Sequence, residues 1–280
     1  MKRKLRGIKR KGIQLDFNLY RVEVPIRGVA RSHLSVIDLW PEAVEKTIVF
    51  VHGYAGCAET WELQINRFAR EYRVVVPDLR GHGQSDAPYT HYTMSELLDD
   101  LDNIVQTLNL PEKFILVGHS FGGSICVEYA NRYPERLEKL ILIATTAEYP
   151  LPRIVNWIVR LPTAFFRLWW KYRPRWNAEI HVMKRMLTNN MRRWKGWDYL
   201  RNITTPTLVI TGERDNYFPR RLFEEAAQQI PGVEIYDVGA AKHKVQLERH
   251  TAVNRVIERF INQERLKDSW RAQTLTTRMI

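Results

Sequence analysis

The stretch FILVGHSFGGSICVEYANRY, residues 114 to 133, decides the fold. Phe114 to Val117 is apolar throughout, as a strand covered on both faces must be. From Phe121 to Arg132 the pattern is helical, and the change of period falls on Gly118-His119-Ser120-Phe121-Gly122. Strand, sharp turn and helix with a serine at the turn is the context that a nucleophile elbow requires. Small residues flanking Ser120 let a strained turn close, lift its Oγ above the sheet edge and aim the helix N-terminus at developing negative charge.

The pattern repeats on both sides of this stretch. Thr47 to Val51, Val74 to Val76 and Leu140 to Ile143 read as central strands, and segments near 16 to 24 and 33 to 39 alternate like half-buried ones. Helices are expected near 59 to 71, 94 to 109 and 121 to 132, with Thr93 and Glu96 as a capping box for the second. After an interruption the rhythm resumes with a strand over Pro206 to Thr211, a helix near 219 to 229, a strand near 233 to 238 and a helix near 250 to 265. Strands alternating with helices predict an α/β fold with a mostly parallel sheet covered on both faces.

A chain of 280 residues with 45% hydrophobic content can bury one large core, and two unrelated domains would fit tightly. The net charge of +12 favours anionic surfaces, and seven Lys or Arg fall in MKRKLRGIKRKG at the start. No apolar run of signal-peptide or membrane-spanning length follows that arm, which is expected to be solvated. Cys57 and Cys126 are too few for a disulfide framework, so a reducing, cytoplasmic setting is expected, with peripheral contact at the inner face of a membrane as the sharper alternative.

On the elbow and the motifs around it, the sequence resembles the α/β-hydrolase family, serine esterases and lipases in particular, over roughly residues 30 to 265. The likeness implies an eight-stranded, mostly parallel sheet flanked by helices, with a short helical cap. It divides the chain into a basic arm (1–15), a core in two parts (16–147 and 204–265), a cap (148–203) and a tail (266–280). His52-Gly53-Tyr54-Ala55-Gly56 after the strand TIVFV looks like the family's oxyanion loop, which implies backbone N–H donors at Tyr54 and Phe121. Asp78-Leu79-Arg80-Gly81-His82-Gly83-Gln84-Ser85 is similar to the loop after the next strand and reads as structural, His82 included.

In the family's order the acid comes late, just past a strand, and the base follows the last strand. LVITGERD supplies Asp215, with Glu213 as the alternative acid, and Gly239-Ala240-Ala241-Lys242-His243 supplies the base. Each residue alone has a plain reading: a serine can cap a helix, an Asp can make a turn, and a histidine can be structural. Their arrival in one order, each after an expected strand, is what carries the triad Ser120, Asp215 and His243. Lys242 departs from the glycine common before the histidine in relatives. Trp61, His119, Trp157, Phe165 and Phe166 are candidates for substrate contact, although His119 also reads as pointing down the strand. No cofactor and no metal are expected.

Between Glu148 and Arg201 stand six of the nine tryptophans, and twelve Lys or Arg against three acids. Arg153, Asn156, Arg160, Thr163, Arg167 and Lys171 recur at helical spacing among large apolar residues, interrupted by Pro162. That is the pattern of a cap that packs over the hydrolase mouth and can also lie on an anionic membrane. No nucleic-acid module accompanies these basic residues, and none is expected to bind. The expected activity is hydrolysis of a carboxylic ester with an apolar or lipid-like acyl group through an acyl-enzyme. Lactone hydrolysis, C–C hydrolysis and acyl transfer use the same triad, and a membrane-surface or partner-binding protein with a vestigial site is the rival from another class.

Overall fold

The computed structural model describes residues 15–41, 44–158, 160–166 and 177–262. The basic arm up to residue 14, the tail 266–280 and the positions Arg167, Lys171, Trp169, Trp170 and Trp176 lie outside the described residues. Eight strands form one sheet: β1 (Arg21–Pro25), β2 (His33–Leu39), β3 (Thr47–Val51), β4 (Arg73–Pro77), β5 (Phe114–His119), β6 (Leu137–Ile143), β7 (Thr207–Thr211) and β8 (Glu234–Asp237). Their order is β1-β2-β4-β3-β5-β6-β7-β8, with β2 antiparallel to both its neighbours and every other pair parallel.

The direction of winding reverses at β3: the chain crosses to β4 on one side, then returns past β3 to β5 and runs on to β8. Parallel crossovers are right-handed, so this reversal sends α1 (Glu62–Phe68) and α2 (Met94–Thr107) to opposite faces. It also opens a crevice beyond the carboxyl ends of β3 and β5, where ligands of such sheets bind. The strands whose apolar runs predict cover on both faces have it: every residue of β3, β4 and β5 is buried, Arg73 at the start of β4 by pairing with Asp38.

α2 starts at the expected capping box, Thr93 Oγ1 accepting from the Glu96 N–H while the Glu96 carboxylate takes the Thr93 N–H. Its buried Leu97, Leu98, Leu101, Ile104 and Val105 recur at helical spacing and face α3 (Phe121–Arg132), which lies against β5 and β6. The helix expected over 59–71 is shorter, because a 3₁₀ turn over Ala58–Trp61 precedes α1. The segment before β1 likewise contains a 3₁₀ turn, Phe17–Tyr20, in which Asp16 accepts the Asn18 N–H.

Among its described residues the insertion is helical only in short pieces. α4 covers only Arg153–Ile158, and Pro162 separates it from a 3₁₀ turn at Thr163–Phe166. A proline has no N–H to continue the ladder and clashes with the preceding turn. α5 (Ile180–Met186) runs into a π turn at Leu187–Met191, and α6 (Trp197–Arg201) leads back to the sheet at β7. The core ends with α7 (Arg220–Gln228), α8 (Val245–Glu248) and α9 (His250–Ile261), the last packed against α1.

Candidate active site

β5 ends at His119 and α3 begins at Phe121, so Ser120 alone makes the turn, at φ 52° and ψ −123°. A non-glycine residue in that region stores about 1 to 3 kcal/mol of strain and persists only where its surroundings fix it. Here the Ser120 N–H donates to Ile143 O at 2.9 Å and its carbonyl accepts the Gly123 N–H at 2.9 Å. Gly122 cannot carry a side chain: a Cβ would lie 2.4 Å from His52 O and 2.5 Å from Val51 O. The helix therefore rests directly on the backbone at the end of β3.

Three chain-distant residues meet at this turn. His243 Nε2 lies 2.8 Å from Ser120 Oγ, and His243 Nδ1 lies 2.6 Å from Asp215 Oδ2. The other carboxylate oxygen accepts N–H groups from Tyr217 (2.8 Å) and Phe218 (3.0 Å). Burial pushes the Asp215 carboxyl up, but the hydrogen bond and charge of His243 with these two N–H donors outweigh it and hold it below its ordinary value. A carboxylate so held fixes the imidazole with its proton on Nδ1 and its free electron pair on Nε2, facing the serine hydroxyl.

Glu213 is exposed, and the partner of His243 is Asp215. The loop that carries the histidine takes its left-handed residue at Gly239 (φ 78°), four positions earlier than Lys242's neighbour His243, so no glycine is needed at 242. Lys242 and Lys244 are both exposed, and the Lys242 N–H is taken by Glu248 Oε2 at 2.9 Å.

The loop after β3 presses on the serine from the other side, since a Cβ on Gly53 would come within 3.1 Å of Ser120 Cβ. Tyr54 follows in that loop, and Phe121 opens α3. The Tyr54 hydroxyl donates to Met183 O in α5 at 3.0 Å, and the Asn177 N–H donates to Ala55 O at 3.3 Å, so the returning cap is tied to this loop. His52 Nδ1 donates to Gly53 O (2.8 Å) while its Nε2 accepts the Leu79 N–H (3.0 Å). Burial pushes His52 down to about 3 and His82 to about 4, which keeps both rings neutral and in structural roles.

Asp78, fully buried, joins the two loops. It accepts the Ala58 N–H (2.7 Å), the Gln84 N–H (3.0 Å) and the Arg21 guanidinium (2.9 Å). Asp78→Ala should leave the buried Ala58 N–H without its acceptor and remove one of the partners of Arg21, which keeps Ser35 Oγ and Glu59, and cost about 1 to 3 kcal/mol in a urea titration. A loss under 1 kcal/mol would show that the loops hold without it.

The five residues expected to touch substrate are dispersed. Trp61 is fully enclosed, its ring against Phe50 at 5.0 Å and edge-on to His119 at 6.4 Å, so it supports the site from within the core. His119 is also buried, at 7% exposure, and bonds to the His243 backbone. Trp157 (68% exposed) and Phe165 (74%) are exposed on the cap, while the Phe166 side chain lies outside the described residues.

Residues the sequence reading passed over stand nearer. The rings of Tyr217 and Phe218 lie 5.0 and 5.7 Å from that of His243. Tyr149 packs on Phe121 (6.0 Å), Phe218 (5.5 Å) and Trp194 (5.8 Å), with its hydroxyl 2.5 Å from Ser124 Oγ. The signal for the first two was their place directly after the acid, in RDNYFP. Tyr149 had none, because its neighbours Phe121, Ser124, Trp194 and Phe218 are all remote from it in sequence.

A sheet that reverses at β3, with a strained serine at the tip of β5, defines an α/β-hydrolase fold. Residues 46–176, just under half of the chain, match the alpha/beta hydrolase fold family. Mouse protein ABHD8 is 27% identical over 242 residues, covering 76% of this chain and 54% of that protein, so the chain spans about half the length of this relative. Human epoxide hydrolase 4 is 27% identical over 272 residues, 79% of this chain and 73% of that one. A thermophilic esterase from Thermogutta terrifontis superposes with a TM-score of 0.71 at 24% identity, over 87% of this chain and 98% of its own, a likeness of fold.

Proposed function

We propose that the chain is a serine hydrolase that cleaves carboxylic esters with an apolar or lipid-like acyl group. The observation that carries this reading is the hydrogen-bonded line from Ser120 Oγ through His243 to Asp215, at 2.8 and 2.6 Å. His243 Nε2 takes the hydroxyl proton as Oγ attacks the ester carbonyl, and the N–H groups of Tyr54 and Phe121 receive the oxyanion. His243 then returns the proton to the departing alcohol, leaving an acyl group on Ser120. Water, activated by the same imidazole, releases the acid and restores the hydroxyl.

Serine at the elbow separates this chemistry from family members that attack epoxides with an aspartate, so the human relative's name does not carry over. The aromatic neighbours Tyr217, Phe218 and Tyr149 favour an apolar substrate. The test is covalent labelling by a fluorophosphonate, followed by nitrophenyl esters of rising chain length with monoacylglycerols and lactones alongside. No labelling of folded protein at Ser120 would sink the reading. Labelling with turnover of lactones alone would move it to lactone hydrolysis.

The cap suggests a second contact of the same enzyme, with anionic lipid. Ile154, Trp157 and Phe165 are exposed, with the Arg160 guanidinium 5.8 Å from the Trp157 ring. Basic residues contribute about 1 kcal/mol each near an anionic surface, so binding should be measurable and salt-sensitive. Flotation with phosphatidylserine vesicles should recover the wild type at low salt and lose it in an Arg153, Arg160, Arg167 triple Glu variant. Equal, negligible flotation of both proteins would leave the segment as a lid alone. Among the described residues no helix is long and apolar enough to cross a membrane.

A further inference from the structure

We infer that His119, the residue before the nucleophile, is a positioning residue: its Nε2–H holds the backbone carbonyl of His243 and so fixes the base against Ser120. The inference rests on the hydrolase reading above.

The bond from His119 Nε2 to His243 O is 2.9 Å long, spans 124 positions of sequence and is buried. It closes a ring of linked atoms. From Ser120 the backbone leads to His119, its imidazole to the His243 carbonyl, and the His243 side chain back to Ser120 Oγ at 2.8 Å. The loop offers little else at that residue: the His243 N–H reaches Asn216 Oδ1 only at 3.5 Å. Its other backbone ties lie to either side, Arg214 N–H to Ala241 O at 2.9 Å and Leu247 N–H to Lys244 O at 3.0 Å.

The donor is itself held in place. The Trp61 ring stands edge-on at 6.4 Å, the His243 ring lies 5.1 Å away, and a Cβ on Gly53 would fall 3.2 Å from His119 Nδ1. His119 thus touches the strand of the nucleophile, the loop after β3 and the loop of the base. Burial, and then the nearby charge of His243, push it down to about 3, with Lys244 lowering it further and Asp215 opposing. His52 is the remaining titratable ring coupled to it. A ring that stays neutral keeps one proton, and the carbonyl contact places that proton on Nε2. The donor therefore persists when His243 becomes protonated during turnover.

A histidine displaced by a fraction of an ångström loses its line to Oγ, and about a 1 Å misplacement can cost on the order of 100-fold in rate. Removing the donor should therefore slow proton transfer without altering substrate affinity. The experiment compares wild type, His119→Phe and His119→Gln. Phenylalanine keeps a ring without a donor, and the glutamine amide nitrogen reaches the position of Nε2. The readouts are the rate of labelling by an alkyl fluorophosphonate, kcat and KM for nitrophenyl butyrate, and Tm.

His119→Phe should label and turn over about 10- to 100-fold more slowly with KM changed less than about threefold. His119→Gln should recover most of that loss at a similar Tm. Two outcomes would overturn the inference: a folded His119→Phe protein that labels at the wild-type rate, or a His119→Gln protein as slow as His119→Phe at equal Tm. If His119→Phe does not fold, His119→Asn, whose amide falls short of the carbonyl, is read against His119→Gln in the same way. A wild type that fails to label would instead strike at the hydrolase reading itself.

Discussion

Ser120→Ala is expected to lower ester hydrolysis by about four to six orders of magnitude while the protein stays folded. The covalent route depends on one oxygen, and alanine removes it. What would survive is the environment: the N–H groups proposed for the oxyanion, the N-terminus of α3 and the enclosed position of the turn, where Ser120 is only 5% exposed. Such remnants retain about 10³- to 10⁴-fold catalysis over water in other triad enzymes, which sets the floor of the loss. Stability should change little, since among the described residues the hydroxyl bonds to His243 alone and the strained φ of 52° remains. Single-turnover assays with nitrophenyl esters, with thermal melting alongside, check both halves. A folded Ser120→Ala protein with near-normal turnover would show that another residue performs the chemistry.

Sequence patterns in this chain were readable where one local rule sufficed. The apolar runs inside strands β3, β4 and β5 reflect cover on both faces, and each bounds its strand within a residue or two by that alone. Ser120 was found because the period of the pattern changes at it, and the capping box of α2 because its two partners stand three residues apart. Asp215 and His243 follow strands β7 and β8, so family order could point to their loops, but only the fold brings them within hydrogen-bond distance of each other.

What local spacing left open was the direction in which side chains point. Spacing in 153–171 suggested an amphipathic stripe interrupted at Pro162, and among the described residues α4 stops at Ile158, with Trp157 and Phe165 exposed. Trp61 and His119 looked like substrate contacts because they neighbour the site in sequence. Their burial follows from the close approach of the loops after β3 and β8, as a Cβ on Gly53 within 3.2 Å of the His119 ring makes plain. Proximity along the chain says that a residue is near the chemistry, and only the direction of its side chain says whether it meets the substrate or the machinery.

His243→Ala should cost nearly as much as loss of the serine, about four to six orders of magnitude, because a serine hydroxyl without its base is a poor nucleophile at neutral pH. The structure gives a means of separating the base from the acid behind it. Asp215→Asn leaves a group of the same shape, still able to accept the N–H groups of Tyr217 and Phe218 at its oxygen. It then presents an amide N–H toward His243 Nδ1, which turns the imidazole into the wrong tautomer, with its proton facing Ser120 Oγ. The loss should be about three to four orders of magnitude, smaller than for His243→Ala, and it should fall on kcat with KM nearly unchanged. Glu213→Gln is the control, since that side chain is exposed and lies outside the line to Ser120. It should retain at least about half of wild-type activity, as surface substitutions usually do. If Glu213→Gln proved the damaging change and Asp215→Asn did not, the acid would have been misassigned, and the 2.6 Å contact between His243 and Asp215 would be a feature of the resting protein alone.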